Sequence, residues 1–255
     1  MTTCIHICVH SQGIVLLLLA SPIVQLFRAP ASLPVPSSAR RSHGAGGTGN
    51  LAGMGTIENP QALRELYAAP GARALAKEVK ELDAHCARFI ALSPFCVMGS
   101  ATTTGDPDLS PRGGAPGFVT VRDSRTILIP DRPGNNRLDS LGKLAANPRI
   151  ALLFLIPGVD ETLRVFGKAE IVAGADFDGD FVTNGKAPKT VLKIAVERAF
   201  FQCGKALMRA QLWNAAPRSD RAGLPTLGEM IKDQTGHSDR TESQEEMTAR
   251  YRKEL

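Results

Sequence analysis

Asn147–Ala173 reads NPRIALLFLIPGVDETLRVFGKAEIVA, and its pattern sets the fold class. Arg149–Ile156 is an apolar run bounded by Pro148 and by the Pro157–Gly158 turn, the signature of a short strand buried on both faces. Glu161–Ala173 follows as a long strand in which Gly167 marks a bulge or bend. Upstream, Phe95–Ala101 (FCVMGSA) is a short apolar strand ending in the polar run TTTGDPD, with a hairpin signal at Gly105–Asp106. Leu109–Arg112 is a second short strand, Gly113–Gly117 a Gly/Pro-rich turn, and Phe118–Arg122 (FVTVR) alternates cleanly. Asp123–Ser124 turns the chain into Thr126–Pro130 (TILIP). After the loop Asp131–Asn135, Asn136 is placed to cap a helix over Arg137–Ala146, which Pro148 stops. Short, closely spaced strands with one inserted helix predict an antiparallel β-barrel with flanking helices, a mainly β, α+β fold. A βαβ arrangement would need more helices between the strands.

Outside this stretch, Glu58–Ile90 has helical periodicity. Asn59 can cap, Pro60 suits the first helical position, and Leu63, Leu66 and Tyr67 share a face. After Pro70–Gly71, the spacing of Leu75, Val79, Leu82, Cys86, Phe89 and Ile90 predicts a second helix. Downstream, Ala175–Gly185 is acidic and contains glycine, Thr190–Val196 is the final strand, and Ala199–Trp213 is an amphipathic helix. Beyond Ile231 the chain is polar, a charged tail or an isolated surface helix. The organisation expected is a leader-like or disordered segment at 1–53, a helical lead-in at 54–92, the barrel domain at 93–231 and a charged tail at 232–255.

Within the first segment, Gly13–Phe27 (GIVLLLLASPIVQLF) is apolar but interrupted by Pro22, and falls short of the ~20 residues of a membrane span. No Lys or Arg precedes it, as the start of a signal peptide would require. Ala29–Gly53, rich in Pro, Ser, Gly and Ala, reads as linker. The reading preferred is a start codon placed too far upstream, with Met54 the true start and a cytoplasmic protein. An export signal is the alternative.

The net charge of the 255 residues is +5. Arg28, Arg40 and Arg41, with no acid among residues 1–53, account for +3 of it, leaving 5 − 3 = +2 for the rest. The folded part is therefore nearly neutral, and aromatics are only 5%. Both facts argue against a nucleic-acid partner. The five cysteines, Cys4, Cys8, Cys86, Cys96 and Cys203, form neither a CxxC pair nor a disulfide framework. Cys96 and Cys203 are expected as small buried hydrophobes. Cys4, His6, Cys8 and His10 alternate, but their spacing matches no standard zinc loop, so no metal is expected.

Four blocks in order, SPRGGAPGFV (Ser110–Val119), LIPDRPGNNRLDSL (Leu128–Leu141), NPRIALLFLIPG (Asn147–Gly158) and ETLRVFGKAEI (Glu161–Ile171), resemble the pyridoxamine 5′-phosphate oxidase-like FMN-binding split-barrel family. The resemblance is closest to a bacterial subgroup of FMN-dependent flavoproteins, and is firm over about Asp83–Gly174. It implies an antiparallel split barrel, FMN as cofactor, oxidoreductase chemistry on an unidentified small molecule, and a homodimer with flavin at the subunit interface. It places the FMN phosphate on Arg137, in the first turn of the helix after Asn136, and on Arg112 of an earlier strand. Anions suit both a helix N-terminus and a guanidinium. It rests the isoalloxazine ring on the backbone of Ile129, Pro130 and Asp131, with Thr162 at the ring edge and Arg164 close by. No catalytic residue is named, because no His or carboxylate pair presents itself as an obligatory acid or base.

The chain departs from the family in two places. The C-terminal segment with a Trp and paired Arg residues that grips the vitamer phosphate is not found, which argues against vitamin B6 oxidation. The usual polar pair before the helix is replaced by Pro130–Asp131, shifting flavin contacts there to backbone. Other split barrels bind F420 or haem, or hold flavin without turnover. None of the histidines lies between His85 and His237, which disfavours haem.

Overall fold

Period-two runs build most of the folded chain, and they pair into one sheet. The computed structural model describes residues 56–173, 177, 181–183, 185–214, 224–236 and 240–254. Cys4, His6, Cys8, His10, Gly13–Phe27 and Met54 lie outside the described residues. The chain divides into two units, Met1–Leu63 and Arg64–Leu255. In the first, helix α1 (Pro60–Glu65) begins as expected: the Asn59 side chain accepts a hydrogen bond from the Ala62 N–H at 2.9 Å.

The second unit contains α2 (Ala72–Ala76), α3 (Ala84–Leu92), β1 (Phe95–Ala101), β2 (Pro107–Gly113), β3 (Thr120–Asp123), β4 (Thr126–Pro130), α4 (Asp139–Ala146), β5 (Arg149–Leu155), β6 (Thr162–Ala173), β7 (Thr190–Gln202), α5 (Lys205–Ala210), α6 (Leu227–Thr235) and α7 (Gln244–Glu254). The strands form one sheet in the order β2-β1-β5-β6-β7-β4-β3, with antiparallel neighbours throughout. Inward residues of β1 (Cys96, Met98), β5 (Ile150, Leu152, Phe154), β6 (Leu163, Val165), β4 (Ile127, Ile129) and β7 (Leu192, Ile194) join Cys86 and Ile90 of α3 and Leu144 of α4 in one core. An ion pair between Arg112 on β2 and Asp131, just past β4, joins the first strand of the order to the sixth. Side chains span so many strands only if the sheet curls round on itself, which gives the barrel its open seam. The edge strand β2 contains Pro107 and Pro111, which have no N–H to offer a further strand.

The bulge expected at Gly167 is present: the β6–β7 register shifts between Phe166 and Gly167. A Cβ there would collide with the Ala195 carbonyl oxygen, so only glycine lets the two backbones approach this closely.

Several expectations are corrected. The second lead-in helix is two helices, because Val79 leaves helical conformation to form a bridge with Ala199 and the Leu82 N–H donates to the Ser124 carbonyl. Leu63, Leu66 and Tyr67, which share a helical face, and Leu75 are exposed. α4 starts at Asp139 rather than Arg137, since Asn136 and Leu138 adopt left-handed φ of 57° and 58°, which a right-handed helix cannot contain. β7 continues to Gln202, so the helix expected over Ala199–Trp213 shrinks to α5. Pairing with Thr162–Phe166 of β6 outcompetes helix there and buries Ala199. β5, expected to be buried on both faces, is covered on one: Ala151, Leu153 and Leu155 are only half-buried. β4 is the strand buried on both, with Leu128 facing a second cluster of Phe181 and Val191. The charged tail contains helix, as its alternative reading allowed, and α6 runs through Ile231.

Candidate functional site

At the open seam, alternation along β2 turns Asp108, Ser110 and Arg112 to the same side as the buried Ser100, Met98 and Cys96 opposite them on β1. Arg112 Nη1 donates to Asp131 Oδ1 at 2.8 Å, and both side chains are about one-fifth exposed (20% and 21%). The Asp131 N–H donates to the Thr190 carbonyl at 2.9 Å, which fixes the backbone from which the carboxylate projects where β4 ends. Among the described residues, Arg112 Nε and Thr190 Oγ1 are buried with no hydrogen-bond partner. The Ile129 side chain belongs to the core, and Pro130 pairs with Val191 of β7.

The chain then passes through the left-handed loop before α4. Asn135 Oδ1 accepts from the Arg137 N–H at 3.1 Å, and Arg137 Nε donates to Asp139 Oδ2 at 2.7 Å. Arg137 is exposed, and Asn136 is a left-handed turn residue rather than the helix cap. Leu138, also left-handed and exposed, is an outlier for a branched side chain; such strain concentrates at ligand-binding loops. α4 itself is pinned to the β1–β2 hairpin. Ser140 Oγ donates to Asp108 Oδ2, and Lys143 Nζ donates to Asp106 Oδ2 at 2.6 Å. The Asp106 carboxylate holds the Lys143 ammonium above its ordinary pKa.

Thr162 and Arg164 sit elsewhere. They flank Leu163, whose side chain is in the core, so alternation sends both to the opposite sheet face. Thr162 is buried there, and Arg164 is exposed, its guanidinium carbon 5.8 Å from the centre of the Phe200 ring. One chain therefore brings Arg112 and Asp131 together and leaves Thr162 and Arg164 on the other side of the sheet.

Sequence reading missed Asp139, Asp108, Ser140 and Thr190 as neighbours of this region. Period-two spacing from Arg112 could have found Asp108; contacts to Ser140 and Thr190 come from distant elements and left no local signal. Cys96 is buried as expected, but Cys203 is exposed. Burial pushes the thiols of Cys86 and Cys96 up to about 11 and about 12, while the Lys205 N–H draws Cys203 below its ordinary pKa. Among the described residues no group of three His, Cys, Asp or Glu could hold a metal, and no helix is long and apolar enough to cross a membrane.

Residues 82–203 match the sequence family described as pyridoxamine 5′-phosphate oxidase. No curated protein matches. Among solved structures, HupZ of Group A Streptococcus is 18% identical, covering 47% of this chain and 93% of that one at a TM-score of 0.37. An FMN-binding protein of Syntrophomonas wolfei is 14% identical, covering 46% and 84% at a TM-score of 0.36. An F420 reductase is 19% identical, covering 44% and 93% at a TM-score of 0.32. Likenesses this distant bear on neither ligand nor activity. The matched segment begins at Leu82, where the lead-in first enters the core, and ends just past β7. Residues 82–203, the segment that forms the sheet and its core, are thus similar to the pyridoxamine 5′-phosphate oxidase family.

Proposed function

We propose that this protein is an FMN-dependent oxidoreductase acting on a small molecule, working as a cytoplasmic homodimer with flavin at the subunit interface. One observation supports the dimer most directly: the candidate residues lie on opposite faces of the sheet. Arg112, Ile129, Pro130, Asp131, Asn136 and Arg137 lie along the seam and the loop before α4. Thr162 and Arg164 belong to the outer face. A single ligand touches both sets only if the second set comes from another copy. The outer face suits that role, since Val97, Leu153 and Leu155 form an incompletely covered apolar surface.

The residues present fit FMN. Arg137 stands exposed beside the first turn of α4, where unpaired N–H groups favour a phosphate. Ile129 and Pro130 offer apolar backbone for a flat ring, and the buried, unpartnered Arg112 Nε is a spare donor. Bound flavin would supply the hydride or electron transfer. The chain's own groups would orient it, exclude water and tune it through nearby charge.

The test is the absorbance spectrum of the purified protein and the mass of any co-purifying cofactor, followed by titrations with FMN, F420 and haem. Yellow protein that binds FMN and exchanges electrons with a donor supports the proposal. Colourless protein indifferent to FMN would end it, and trapped flavin without turnover would reduce it to a binding module.

A further inference from the structure

The two arginines expected to take a phosphate each already carry an aspartate. Arg137 pairs with Asp139 at 2.7 Å and Arg112 with Asp131 at 2.8 Å. The site is thus balanced in charge rather than cationic. The two pairs differ in environment. Side chains of the Arg137 pair are 72% and 49% exposed, so water screens the pair and an incoming anion displaces the carboxylate cheaply. Arg112 and Asp131 are largely shielded from water, and Asp131 is anchored through its own N–H to Thr190. A dianion placed against Arg112 would meet the repulsion of the neighbouring Asp131 carboxylate as well as the attraction of the guanidinium.

We propose that Asp131 is a specificity-determining residue that sets which end of the ligand goes where. By neutralising Arg112 it reserves the seam for an uncharged polar edge, which the spare Nε–H can serve, and it directs the phosphate to Arg137. The inference rests on the flavin reading above and assigns Arg112 a positioning role in place of direct phosphate binding.

The test compares FMN with riboflavin, which has the same ring and no phosphate. Affinities are measured by flavin fluorescence quenching for the wild-type protein, D131N, R112Q and the R112Q/D131N double variant, with circular dichroism confirming the fold. D131N uncovers a cation and should shift the FMN-over-riboflavin preference towards FMN by about tenfold. R112Q uncovers a carboxylate and should shift it about tenfold the other way. The double variant, neutral again, should return to near the wild-type ratio. An FMN preference lost equally in R112Q and in the double variant would make Arg112 a direct phosphate ligand and overturn the proposal. An identical ratio in all four proteins would overturn it too, leaving the pair a seam latch. Should D131N fail to fold, R112Q and the double variant still decide. A wild-type protein that binds neither flavin overturns the flavin reading itself and this inference with it.

Discussion

Gly167 faces the Ala195 carbonyl so closely that a methyl group has no room. The backbone must shift to admit one, in a strand pair that carries the middle of the sheet. G167A should therefore lower unfolding free energy by about 1–3 kcal/mol, as overpacking does. An unchanged urea midpoint would show that β6 and β7 can separate locally. Cys86 and Cys96 make a prediction of the opposite kind, in pH. Their folded pKa values, about 11 and about 12, lie above the ordinary 9.0 because burial disfavours the thiolate. Below pH 9 both states keep their protons and stability is insensitive to these groups. As pH rises from 9 towards 11–12, only the unfolded chain ionises and stability falls. Urea midpoints measured from pH 7 to 10.5 should decline at the alkaline end, and C96A should flatten the decline.

Among the elements, α4 depends on its neighbours more than on its own sequence. Its start is set by a left-handed Leu138 with no side-chain cap, and Ser140 and Lys143 tie it to Asp108 and Asp106 of the hairpin. Ser140 is buried, so S140A removes a donor from a sheltered carboxylate. A loss of about 1–3 kcal/mol should follow, with faster amide exchange in α4 and the β1–β2 turn. Exchange confined to wild-type rates would mean that the tie is dispensable. The same element carries Arg137 on its entry loop, so its looseness would also appear as weaker FMN binding.

For the molecule as a whole, the half-covered outer face matters most. Val97 sits there between Pro111 and Leu153 in the sheet register. V97E places a charge in the proposed dimer contact without touching the inward core. The expected outcome is a monomer by light scattering, with an unchanged circular dichroism spectrum and FMN affinity reduced by at least about tenfold. A V97E protein that stays dimeric and binds FMN normally would move the interface elsewhere.

Fold class, strand positions from β1 to β6 and the Gly167 bulge were legible in the sequence, because alternation and Gly/Pro punctuation are local signals. Three things were not. The last residues of β7 have helical spacing, and only pairing with β6 made them strand. The start of α4 moved because Asn136 and Leu138 took left-handed geometry, a conformation that spacing does not encode. Arg112 was legible as a charge on a strand, but its partner Asp131 arrives by curling of the whole sheet. Local periodicity therefore determined which residues form strands and core. The tertiary structure alone decided which charges meet across the seam, since contacts between residues distant in sequence exist only once the barrel closes.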